Sequence, residues 1–125
     1  MGQFGTYQWF IEHGAEKIHP DDLERFKSEA HNCKIFEFVE DHAEYITIQY
    51  GNNQYRVVKD LFKPVPVPKY RIGQRVKAKS TNEDAVVSDV MWHHDMKSHY
   101  YFLIVNGKKK STRYFAADIM AMPIG

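Results

Sequence analysis

The chain has 125 residues, 43% apolar and 14% aromatic, enough for a packed core and too many for wholesale disorder. Lys and Arg (17) nearly cancel Asp and Glu (16), which argues against a dedicated nucleic-acid binder, whose domains carry a basic excess. The single cysteine, Cys33, excludes an internal disulfide and a multi-cysteine zinc knuckle. It fits a reducing compartment; the N-terminus lacks a signal-peptide pattern and no stretch approaches the roughly 18 apolar residues of a membrane span. A soluble cytoplasmic protein with no membrane partner is expected.

Residues 4–18, "FGTYQWFIEHGAEKI", form a short strand or irregular cap whose Tyr7, Trp9 and Phe10 fill one end of a core. "IHPDDLERFKSEAHN" then predicts a helix over about 20–31. Pro20 suits the first helical position, the acids complement the helix dipole, and Leu23, Phe26 and Ala30 make one apolar stripe. "KIFEFVE", "EYITIQY" and "QYRVV" read as a β-meander, with Ile46, Ile48 and Tyr50 alternating against polar neighbours and "GNN" as a turn. These elements make an N-terminal unit over 1–63.

Residues 64–69 alternate proline at 64, 66 and 68. Each proline removes a backbone donor, so the stretch cannot be a central strand and reads as a stiff connector. A second unit, 70–125, carries strands at "RVKAK", "EDAVVSDVMWH", "HYYFLIVNG" and "TRYFA", with "KKKS" as a hairpin tip and "ADIMAMP" as a closing element. Short strands joined by brief turns indicate a small barrel or sandwich.

The two halves echo each other. An apolar strand runs to Gly51 or Gly107, a strand returns, and Asp60-Leu61 or Asp118-Ile119 closes. Aligning the glycines sets Ile46 against Phe102 and Ile48 against Ile104. A tandem duplication accounts for this, as does the ordinary look of a β-hairpin ending in a helical turn.

The stretches "IGQRVKAK", "AVVSDVMWH", "YYFLIVNGKK" and "RYFAADI" resemble the SH3-like barrels of the Tudor, chromo-like and ribosomal-protein type, over about residues 69–123. The whole chain, including "FGTYQWFIEHGAEKIHPDDL" and "LFKPVPVP", is similar to a small family of uncharacterised bacterial proteins, a resemblance that implies a bacterial, stand-alone origin and says nothing of activity. "IHPDDLERF" also looks like the helix opening of PAS sensor domains, but 18 residues before His19 are too few to build that core. The expected fold is mostly β with one α-helix: two small SH3-like β-barrel units packed together.

Several side-chain groups bear chemistry. His93, His94, Asp95 and His99 are good ligands for zinc-like ions, yet they fall in and around a loop with no helical spacing to converge them. No nucleophile elbow, phosphate-cradling loop or buried carboxylate pair is evident. Cys33 opens an apolar strand and reads as a small core residue; Asp60 and Asp118 read as caps of short helical turns. Lys108, Lys109, Lys110 and Arg113 beside Tyr114 and Phe115 are the nucleic-acid candidate, weighed against a solvated hairpin tip. Trp92, Tyr100, Tyr101, Tyr114 and Phe115 are candidates for an aromatic groove, most of them core. The leading expectation is a non-enzymatic binding or scaffolding module without cofactor, which recognises a protein or peptide through Trp92, His93, Tyr100 and Tyr114. The alternatives are weak RNA or DNA binding at the Lys108–Lys110 tip, and a metal-assisted enzyme at His93, His94 and His99.

Overall fold

The computed structural model, which describes residues 3–122, carries two antiparallel sheets and little helix. The chain divides into two units, Met1–Val67 and Pro68–Gly125. No described helix is long and apolar enough to cross a membrane.

In the first unit, β1 (Gln3–Tyr7), β2 (Phe36–Asp41), β3 (Ile46–Tyr50), β4 (Asn53–Val57) and β5 (Phe62–Val65) pair in the order β4-β3-β2-β1-β5. The period-2 pattern of β3 turns Ile46, Ile48 and Tyr50 to the core, opposite Val57 and Tyr55 of β4. Gly51 takes φ +59° in the two-residue turn between these strands, a conformation that costs glycine little. Gly5 has a different reason: a Cβ there would meet the Lys63 carbonyl oxygen at 2.5 Å, so β1 and β5 approach only because residue 5 lacks one.

The helix is shorter than its sequence suggests. α1 spans Leu23–Ser28, not 20–31, and Ala30 has left-handed φ (+56°) beyond its end. Asp22 explains the late start. Its carboxylate reaches across to β4, where Oδ2 accepts the Arg56 backbone N–H at 2.8 Å and Nε–H at 2.9 Å, while Oδ1 accepts from Arg25 at 2.9 Å. Burial alone would raise this carboxyl, but the hydrogen bonds from Arg56 and Arg25 outweigh it and hold it down at about 2. Phe26 is the buried residue of α1; its ring stacks on His31 (4.7 Å) and meets Tyr55 (5.2 Å), Tyr7 (5.8 Å) and Phe36 (5.9 Å) edge-on or tilted. Trp9 is buried, whereas Phe10, expected in the core, is 49% exposed. Cys33 also departs from the core reading: it is half-buried at φ +65°, ahead of β2, and its N–H donates to Gln8 Oε1.

Pro64 and Val65, expected in a connector, lie in β5, which pairs with β1 at the edge of the sheet. An edge strand needs donors on one side only, so proline is tolerated there. The other edge, β4, is covered by the chain itself: Val58 N–H donates to the Lys17 carbonyl and His19 N–H to the Arg56 carbonyl.

In the second unit, β6 (Arg75–Ala78), β7 (Glu83–His93), β8 (Ser98–Val105), β10 (Tyr114–Phe115) and β11 (Ile119–Ala121) pair in the order β10-β8-β7-β6-β11, and β9 (Lys108–Lys109) pairs with β8. The lysines expected at a hairpin tip therefore begin the return; the turn is Asn106-Gly107, both at positive φ. Among the described residues neither sheet closes into a barrel through strand pairing.

The two sheets share one strand order. In each, the first strand lies between the second and the last, and a 3-10 turn, Lys59–Leu61 or Ala116–Asp118, precedes the last strand. The glycine alignment is nevertheless one residue out. Gly51 is the first residue of its turn and Gly107 the second, so Ile46 and Ile48 face the core while Phe102 and Ile104 face away from it. Asp118 accepts the Phe115 N–H at 2.9 Å, as a cap should, but Asp60 pairs with Lys17 instead of capping.

Candidate functional site: an aromatic and cationic sheet face

The site is set by a slip in the β7–β8 ladder. Val87 pairs with Leu103 and Asp89 with Phe102, leaving Ser88 without an opposite residue. Such a bulge exchanges the faces of everything beyond it. Before it, Ala85 and Val87 point to the core; after it, Val90 does, with Trp92 in the same register. Asp89, Met91 and His93 consequently turn to the outer face, beside Phe102, Tyr100 and Ser98.

Across β8 the alternation is clear. Tyr101, Leu103 and Val105 fill the core, while Tyr100, Phe102 and Ile104 face outward. β10 adds Phe115 opposite Tyr100, and β9 adds Lys109 opposite Ile104. The outer rings form a connected strip: Tyr100 lies 5.7 Å from Phe102 and 6.1 Å from Phe115, and His93 lies 6.1 Å from Tyr100 and 6.2 Å from Phe115. Two cations sit on the strip. The Arg113 guanidinium lies 5.0 Å over Tyr100, whose exposure is only 6%, and Lys109 Nζ lies 6.0 Å from the Phe102 ring. Phe102 and Phe115 remain half-exposed. The Tyr101 phenol beneath is pushed up by burial and stays a neutral hydrogen-bond group, accepting the Lys69 N–H at 3.1 Å.

The expected quartet is thus divided. His93 and Tyr100 share the outer face; Trp92 and Tyr114 fall in the core-facing register, Trp92 edge-on to His99 at 5.1 Å and Tyr114 opposite Tyr101. The metal grouping does not assemble either. His93 pairs with Ser98 and His99 with Trp92, so the two imidazoles start from opposite faces, and His94 is exposed in the turn. Among the described residues no three His, Cys, Asp or Glu are grouped to hold a metal ion. The basic set fares better. Arg113 and Lys109 join the aromatic strip; Lys108, opposite core-facing Val105, and Lys110 fall in the other register and are exposed at the sheet edge. No carboxylate lies at ion-pair distance from Lys108, Lys110 or Arg113 among the described residues. Phe102 and Asp89 are the site residues that the sequence reading missed. A strand apolar at consecutive positions, "YYFLIV", is the signal that one ring row must face outward.

Charge is divided as sharply as shape. Residues 1–67 hold seven Lys and Arg against eleven Asp and Glu, a net −4; residues 68–125 hold ten against five, a net +5. The near-neutral chain is an average of an acidic unit and a basic one.

A family model, "Family of unknown function (DUF6960)", matches residues 1–120. No curated protein matches the chain, and no solved structure does.

Proposed function

The chain belongs to this family of unknown function, and from that premise we propose that the outer face of the second sheet binds single-stranded nucleic acid without catalysis. The observation that carries the reading is half-exposed Phe102 and Phe115 with Arg113 on their strip and exposed Lys108 and Lys110 at the sheet edge, on a unit of net charge +5. Aromatic faces stack on bases of any sequence, at about 1–3 kcal/mol per base, and lysine and arginine neutralise the phosphates between them. His93 extends the ring strip. The strand order, with a 3-10 turn before a last strand that returns to the first, supports the SH3-like reading of both units and their origin by duplication. A bacterial, cytoplasmic setting accords with the same reading.

The test is fluorescence anisotropy of a labelled single-stranded oligonucleotide against rising salt. Three cations at about 0.7 each predict a log–log slope near −2. Binding that ignores salt, or stronger capture of an acidic peptide than of the oligonucleotide, overturns this reading in favour of a peptide-binding module.

A further inference from the structure

Asp89 is 8% exposed on the same outer face, placed there by the bulge at Ser88. Its Oδ2 lies 2.7 Å from Lys109 Nζ and accepts the Ser88 hydroxyl at 3.1 Å. A carboxylate taken out of water at a sheet face is costly unless a cation and hydrogen bonds accompany it. Lys109, itself largely exposed, supplies the cation and in doing so is held against the Phe102 ring.

We infer that Asp89 is a specificity-determining residue: an internal counter-ion that occupies Lys109 and so withholds one cation from any polyanion on this face. The inference rests on the nucleic-acid reading above. Of the tip cations, Lys108, Lys110 and Arg113 are open to phosphate, while Lys109 becomes so only if the Asp89 carboxylate is displaced. The bound anion competes with a carboxylate positioned in advance, on the residue opposite the ring on which a base would stack. Weak, low-charge contacts are filtered out, and a ligand must gain from stacking on Phe102 and Phe115 as well as from charge.

Asp89→Asn keeps the shape and a hydrogen-bond acceptor for Ser88 but removes the competing charge. Anisotropy with the same oligonucleotide is expected to show several-fold tighter binding than the parent at low salt, and a slope steeper by about 0.7 as one more phosphate contact forms. Asp89→Asn with Lys109→Met restores the parent's charge balance and returns affinity and slope to the parent's values. Amine acylation of the parent protein, read residue by residue by mass spectrometry, gives a measurement independent of any variant's folding. Lys109 is expected to react more slowly than Lys108 and Lys110, and added oligonucleotide protects those two and not Lys109. If Asp89→Asn binds as the parent does with the same slope, or if the oligonucleotide protects Lys109 as well as its neighbours, the inference fails while the binding reading stands. If neither parent nor Asp89→Asn binds, both fail.

Discussion

The two sheets use one strand order to present opposite outer faces. On the first, β3 turns Thr47 and Gln49 outward, flanked by Glu40 and Glu37 of β2 and by Arg56 and Gln54 of β4. On the second, the corresponding strands show Tyr100, Phe102, Ile104, Met91 and Phe115. Among the described strands the first unit sets one ring, Phe4, in this outward register, opposite Glu37, and it is buried (5% exposed), so the framework does not require a strip of part-exposed rings on its outside. The strip of half-exposed rings edged by cations is therefore particular to the second unit, and the binding proposal rests on that contrast.

That comparison can be broken or sharpened at several points. The largest effect is expected in the first unit. Asp22→Ala removes the buried carboxylate that joins α1 to β4 through charged hydrogen bonds, at a cost of about 2–3 kcal/mol. Each unit carries one tryptophan, Trp9 and Trp92, so thermal unfolding of single-tryptophan variants reports which unit gives way. The expected loss is in the Trp9 signal. Acid titration examines the same group. Its folded pKa lies below its unfolded value, so its stabilisation is complete above roughly pH 5 and lost as pH falls through about 4 to 2, on the order of 2 kcal/mol. Asp22→Asn should lack that step; an identical acid profile in the variant would falsify the assignment.

Next comes the ring strip. Phe102→Thr with Phe115→Thr gives the second unit an outer face like the first. Oligonucleotide affinity is expected to fall by about 1–3 kcal/mol per stacked base, with Tm lowered by less than in Asp22→Ala because both rings are already partly exposed. A fall in stability that matches the fall in affinity would make these rings core residues. The smallest effect is at Tyr7, whose hydroxyl donates to the Val58 carbonyl at 2.6 Å. Tyr7→Phe should cost about 1 kcal/mol in denaturant unfolding, and leave binding by the second unit unchanged.

Much of this was legible in the sequence. The strand Glu83–His93 has the bounds its residues suggest, and the β3 alternation reads directly into burial. The site was harder, because face depends on parity. Counting from Val87 without a bulge sends Trp92 outward and Asp89 inward, and nothing in "VVSDV" announces that Ser88 drops out of register. Phe102 was hidden for a related reason: in a strand apolar at consecutive positions, only the partner strand reveals which row faces the core. The basic character of the second unit was concealed by summing charge over both units. The short helix followed from Asp22, whose preference for two arginines overrides its usual role at a helix start.

The proline of β5 carries a last consequence. Pro64 pairs with Gly5 and has no backbone hydrogen to offer on the side away from β1. A strand from another molecule that came alongside would find no amide at this position, which interrupts the pairing it would need to extend. With the opposite margin already bonded to Lys17 and His19, the first sheet is guarded against stray strand pairing at both borders.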